Sequence, residues 1–357
     1  MKGVTLFIGT SKGLYVFRSG ASRTRWRREG PHFVGEPIYH AAFDPRDGSS
    51  VYVASNQTWG GPRIEVSRDV GRTWTTASNP KFPERSDLAF KRTWHIEPGH
   101  ATQPEVVWAG VEPAALFRSD DRGMTWQPVP GMNEHETRSR WSPGNGGLGL
   151  HSIAIDARDP MWMAIGISAA GVFESRDGGD TWDPANQGIR SQYLADPEAD
   201  VGHCIHHLVA HPVAAGVRFQ KVHDNAYWRE DGDSRWQDVT AGLPSEFGFA
   251  AAIHPHDAAT AYVVPLDPRP RLAPEPGIAV YRTRDRGQSW KRLARGLPRG
   301  AQLEVLREGL TTDRLDPAGV YFGSKDGGVW ASADEGTSWT QVAAYLPPVL
   351  SVTAATT

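Results

Sequence analysis

Histidine is the residue type whose placement in this chain most asks for a chemical explanation. His40 in Ile38-Tyr39-His40, His95 in Thr93-Trp94-His95 and His151 in Leu150-His151-Ser152 each stand the same distance before a strand-like apolar run. Those runs are Val53-Ala54-Ser55, Trp108-Ala109-Gly110 and Ala164-Ile165-Gly166. The stretch His203-Cys204-Ile205-His206-His207 covers the equivalent place once more, with the choice between His206 and His207 open. Neutral imidazoles converging from separate rigid strands suit a transition metal and leave room for a substrate. His40, His95, His151 and His206 or His207 are therefore expected to hold a divalent metal: Zn, Fe, Cu, Ni or Mn. The alternative is a watery channel lined with hydrogen-bonding side chains, one histidine having been copied into several repeats.

Glu97 follows His95 by two residues and so shares its strand face, where the corresponding residues are Ala42 and Ile153. A carboxylate there needs a partner. It is a metal ligand, an acceptor for an imidazole N–H, a general base, or one half of a plain ion pair with Arg307. His223, in the turn Lys221-Val222-His223-Asp224, is expected on the same side. Glu97, His223 and Arg307 are the candidate catalytic groups; Trp94, Tyr193 and His203 are the candidate substrate-binding ones. Glu36 and Glu304 are the other carboxylates expected nearby. The loops Asn133–Trp141 and Arg190–Asp196, with the proline-rich Pro265–Gly277 as a semi-rigid lid, are the expected binding segments.

The elements that position these residues are short strands. The 38 Gly, 27 Pro and 14 Trp describe many strands joined by tight turns with large aromatic fillers, and helical periodicity is hard to find. A repeat sets their order: Ser67-Arg-Asp69-Val-Gly71-Arg-Thr73-Trp74 recurs as Ser119–Trp126, Ser175–Trp182, Thr283–Trp290 and Ser332–Trp339. Decayed copies at Ser19–Trp26 and Arg229–Trp236 complete seven tryptophans in register. Each interval has the length of one four-stranded propeller blade. In each copy Asp and Ser/Thr are expected to staple the turn between third and fourth strands, with Gly at positive φ. These aspartates are thus turn residues and not catalytic ones.

The expectation is an all-β chain, residues 1–357, forming a single seven-bladed β-propeller of four-stranded antiparallel blades. The N-terminal run Thr5–Gly9 reads as a second strand, so the C-terminal run Val349–Thr353 is expected to complete the N-terminal blade and close the ring. The histidines then belong to innermost strands, at the mouth of a central channel.

Composition narrows the partners. The formal charge is -3 with both signs mixed throughout, which lacks the positive field that phosphate backbones select. Nucleic acid is not expected, and no apolar stretch approaches a bilayer span. Cys204 is the single cysteine, so no intramolecular disulfide forms. With no signal-type N-terminus, the expected location is the cytoplasm.

The repeats match the Asp box, S/T-x-D-x-G-x-T/S-W, and the chain resembles the BNR-repeat propellers, the sialidase-like glycosyl hydrolases. The resemblance does not extend to sialidase activity. Sialidases are six-bladed, with an arginine triad and a Tyr/Glu nucleophile pair; Gly61-Pro62-Arg63-Ile64 stands inside a third strand and not at their N-terminal Arg-Ile-Pro-type motif. Xyloglucan-degrading relatives pair two seven-bladed propellers around a cleft. In architecture the chain is similar to the photosystem II assembly factor propellers, which bind and do not catalyse. The leading expectation is a metal-dependent enzyme acting on a small molecule in the channel. The alternatives are a non-enzymatic propeller for a peptide or protein, and a glycoside hydrolase using Glu97 with a second carboxylate.

Overall fold

The computed structural model describes residues 2–57, 59–84 and 86–357. Its strands form seven four-stranded antiparallel sheets, the blades of a seven-bladed β-propeller. The first strands of blades two to seven are Ile38–Phe43, Arg92–Pro98, Leu150–Ile155, Ile205–Ala210, Ala251–Ile253 and Leu310–Thr312. Helix is confined to Pro130–Asn133 and a 3-10 turn at Glu136–Arg140 among the described residues. Blade one closes as expected: Val349–Thr356 pairs antiparallel with Val4–Thr10, from Val4 opposite Thr356 to Thr10 opposite Val349.

The chain divides into two compact units. Unit one comprises Met1–Ala41, Phe219–Trp228 and Asp238–Thr357; unit two comprises Ala42–Arg218 and Arg229–Gln237. Second strands such as Val107–Glu112 and Met163–Ile167 are buried at every residue, so they read as continuous apolar runs and not as alternation. Fourth strands are short and exposed, as at Thr75–Thr76.

The repeated turns are built as their residue types require. Ser67 Oγ donates to Asp69 Oδ1 (2.8 Å) and accepts the Gly71 amide (2.8 Å). Asp69 in turn accepts Arg72 N, Thr73 N and Thr73 Oγ1. Gly71 sits at φ 81°, which a side chain would resist. The residue before it is also left-handed: Val70, Arg122, Arg286 and Glu335 all lie at φ 56–61°. The repeat tryptophans fill the space beside the next strands, with Trp339 edge-on to Phe322 (5.2 Å) and Trp26 edge-on to Tyr321 (5.9 Å).

A second repeat closes the other end of the first strands. Just after each one, a side-chain acceptor takes backbone amides two or three residues on. The acceptor is Asp44, Asp156 or Asp313 in three blades and the Nδ1 of His100, His211 or His254 in the other three. Three histidines are thereby committed to turns.

Candidate functional site

In unit two the first strands Arg92–Pro98, Leu150–Ile155 and Ile205–Ala210 lie side by side. His95 is buried, and its Nε2 is 3.3 Å from Glu97 Oε2. The Glu97 side chain is 37% exposed, so this is a carboxylate with one oxygen tied to an imidazole and access to solvent. Between Thr93 and His95 the strand carries a bulge, which turns Trp94 out of the ladder. The indole then donates to Glu112 Oε2 (3.1 Å) while the Arg92 guanidinium stacks on its ring (5.2 Å). Glu112 also pairs with Arg92 Nε at 3.2 Å and Lys91 at 3.7 Å. The 144–149 loop comes down on this group: a Cβ at Gly149 would lie 2.5 Å from Trp94 Nε1.

His151 does not occupy the place of His95. His95 pairs with Gly110, whereas it is Ser152 that pairs with the corresponding Gly166; His151 falls on the bulge and is the counterpart of Trp94. The turn after the first strand is one residue longer in blade three than in blade four, 99–106 against 156–162, which offsets the equal spacing in sequence. His151 is fully buried, its Nδ1 3.1 Å from Ser152 Oγ, and Ser152 Oγ accepts Leu208 N from the neighbouring strand (3.1 Å). His206 and His207, adjacent on one strand, are both buried and face opposite sides of it.

His203 is a staple of its own loop. Nδ1 is 2.9 Å from Ser191 Oγ and Nε2 is 2.7 Å from Ala199 O, which leaves neither ring nitrogen for a ligand. Burial pushes its imidazole below the ordinary value. Tyr193 is half exposed, and its hydroxyl meets Cys204 N and Gly202 O. His135 likewise spans Thr137 and Trp182 O and packs edge-on to Phe173 at 5.0 Å.

In unit one His40 Nε2 lies 3.5 Å from Glu308 Oε2, with both side chains nearly buried. Glu308 is a residue that sequence reasoning missed, because it sits in the irregular stretch before its strand and has no counterpart in register. Its backbone is anchored by Val352 N to Glu308 O (2.7 Å). Glu304 is committed to Lys325 (2.8 Å). Arg307 is half-buried in the same stretch. His223 is 39% exposed, edge-on to Phe247 at 5.2 Å, with Asp224 Oδ1 3.9 Å away. The 265–277 segment is not a lid: Leu266 and Ala273 are buried in the core, and backbone bonds tie them to Phe247 and Leu303, while Ile278 just beyond is tied to Ala301.

No family model matches the chain. A probable oligoxyloglucan-reducing end-specific xyloglucanase of Neosartorya fischeri is 24% identical over 70% of this chain and 33% of its own length. A xyloglucanase of Hypocrea jecorina is 27% identical over 39% of this chain and 17% of its own. Among solved structures, the GH74 xyloglucanase of Xanthomonas campestris superposes with TM-score 0.65 at 18% identity, covering 98% of this chain and 52% of that one. YCF48 bound to D1 peptide superposes at 0.52 with 17% identity, covering 85% and 82%. The chain thus spans about a third of the first curated relative and half of the first structure. These likenesses support the propeller fold and correct the sialidase-like resemblance, since the relatives are xyloglucanases.

The expectation of a metal-dependent small-molecule enzyme is overturned by the same relatives, which are glycoside hydrolases. The local geometry explains the misreading: His151 does not share the register of His95, and His40 and His95 each sit against a carboxylate of their own unit. The cytoplasmic expectation falls too, because a polysaccharide does not cross a membrane intact and enzymes named for one meet it outside the cell. A lone Cys204 fits either location. No helix among the described residues is long and apolar enough to cross a membrane.

Proposed function

We propose that this propeller is a glycoside hydrolase acting on a β-glucan oligosaccharide of the xyloglucan type, with Glu97 as an acid/base group. The observation that carries the reading is the half-exposed Glu97 carboxylate held by the buried His95 on a first strand. With Nε2–H donating to Oε2, the imidazole fixes the carboxylate's orientation and leaves Oε1 to exchange a proton with the glycosidic oxygen or with water. The relatives' names supply the substrate class.

Glycoside hydrolysis takes two carboxyl groups within ~10 Å of each other. Glu112 is not the second: it is opposite Arg92 while Glu97 is opposite Trp108, a separation of about 13 Å of strand. Single Gln substitutions at Glu36 and Glu308 search for the partner. The direct test is release of reducing ends from xyloglucan oligosaccharides. Glu97→Gln is expected to lower kcat about 100- to 10,000-fold with little change in KM. No release by the wild type from xyloglucan or unbranched β-1,4-glucan oligosaccharides, or an unchanged rate in Glu97→Gln, overturns the reading.

A further inference from the structure

Three segments of unit one meet around an arginine that has no ionic partner among the described residues. Arg271 lies in the tight turn 267–272, closed by Arg271 N to Asp267 O (2.9 Å) and Asp267 N to Leu272 O (2.8 Å). Its φ is 57°, a conformation that residues other than glycine and asparagine seldom adopt. That geometry carries the guanidinium over the Phe249 ring, 5.6 Å from its centroid. Phe249 stands edge-on to Phe247 (5.0 Å), and Phe247 edge-on to His223 (5.2 Å). The three segments are bolted together: Leu266 N donates to Phe247 O, and the buried Lys221 ammonium donates to Glu246 O.

Arg271 makes no ion pair among the described residues, although Asp267 shares its turn and Asp224 is next to His223. A guanidinium fixed by a strained backbone over an aromatic face, and left without a carboxylate, is built to receive one. Half-buried Phe249 offers a flat apolar edge beside it, and His223 a second polar group. Burial, helped by the charges of Lys221 and Arg271 and opposed by Asp224, holds His223 below its ordinary value.

We infer that Arg271, Phe249 and His223 bind a uronic-acid residue of a saccharide, the guanidinium taking its carboxylate, the Phe249 ring its C–H face and His223 a ring hydroxyl. The saccharide half rests on the glycoside reading above; the carboxylate half stands on Arg271 alone.

The test is calorimetric or saturation-transfer NMR binding of methyl β-glucuronoside, its neutral methyl ester and benzoate to the full chain. The uronoside is expected to bind at least about tenfold more tightly than its ester, with the difference abolished in Arg271→Ala and mostly lost in Arg271→Lys, since a lysine cannot form the two-pronged contact. His223→Asn is expected to weaken the uronoside and leave the acid-over-ester preference. Equal binding of acid and ester, or an unchanged preference in Arg271→Ala with the fold intact by circular dichroism, overturns the inference. Benzoate binding as tightly as the uronoside overturns the saccharide assignment. Because no hydrolysis is read, a chain that cuts no glucan yet binds the uronoside through Arg271 fails the proposed function and supports this site.

Discussion

Lys221 shows what a single residue can hide. In sequence a lysine in a strand reads as a solvent-facing charge, yet its side chain is fully buried and its ammonium donates to Val222 O, Asn225 O and Glu246 O. Burial pushes the amine down to about 7, with Asp224, Asp238 and Glu246 opposing. The unfolded chain keeps that proton up to about pH 10.5. Between pH 7 and 10.5 the unfolded state therefore binds more protons than the native one, and stability rises with pH, at most by about 1.4 kcal/mol per unit. Urea titrations at pH 7, 8 and 9 are expected to show that rise in the wild type and to lose it in Lys221→Met. A flat wild-type profile would show the amine to be unperturbed. Glu97 was legible at this scale because a carboxylate two residues from a histidine on a strand must share its face. Glu308 and Lys221 were not, since the His40 imidazole that meets the one and the Glu246 carbonyl that meets the other are distant in sequence.

Strands were legible and their fine register was not. Equal spacing placed His95 and His151 together, but the turn after the strand is one residue longer in blade three than in blade four, so His151 falls on the bulge that Trp94 occupies and not in the ladder. The turn after each first strand escaped notice for a different reason: one task, accepting backbone amides, is done by Asp in three blades and His in three, so no letter repeats. The alternation has a consequence in acid. His254 Nδ1 accepts the amides of His256 and Asp257, 3.1 and 3.0 Å away, and can do so only while unprotonated. Burial lowers its imidazole, against the pull of Glu335 3.4 Å from Nε2 and of Asp257, with His256 adding to the depression. A lowered histidine contributes stability that is present above the unfolded value of about 6.5 and is lost as pH falls below it. His254→Asn keeps a neutral acceptor, and its melting temperature between pH 7.5 and 5.5 is expected to fall less than that of the wild type. His254→Ala should lose about 1 kcal/mol above pH ~6.5, a deficit that narrows as the wild type gives up the same contribution in acid. Parallel pH profiles for the wild type and His254→Asn would remove the histidine from the acid response.

The whole fold was legible because the repeated tryptophans count the blades and the Asp/Ser turns mark where each ends, features that survive even when other blade residues diverge. The closure was legible because a chain beginning on a second strand leaves a first strand to be supplied. In the structure Val349–Thr356 supplies it, and every residue of its partner Val4–Thr10 is buried. That pairing also carries contacts beyond blade one, such as Thr353 Oγ1 to Ala41 O (2.5 Å). Removing residues 349–357 uncovers an apolar strand with a row of unpaired amides, which costs hydrogen bonds and invites aggregation. The truncated chain is expected to melt about 10 °C or more below the full chain, or to aggregate on expression, and to be cut by protease first in residues 4–19. A synthetic peptide of residues 349–357 added in trans should restore protection by pairing with Val4–Thr10. If the truncation leaves melting and cleavage unchanged, blade one does not depend on this strand, and closure would have to reside in the packing of its remaining three.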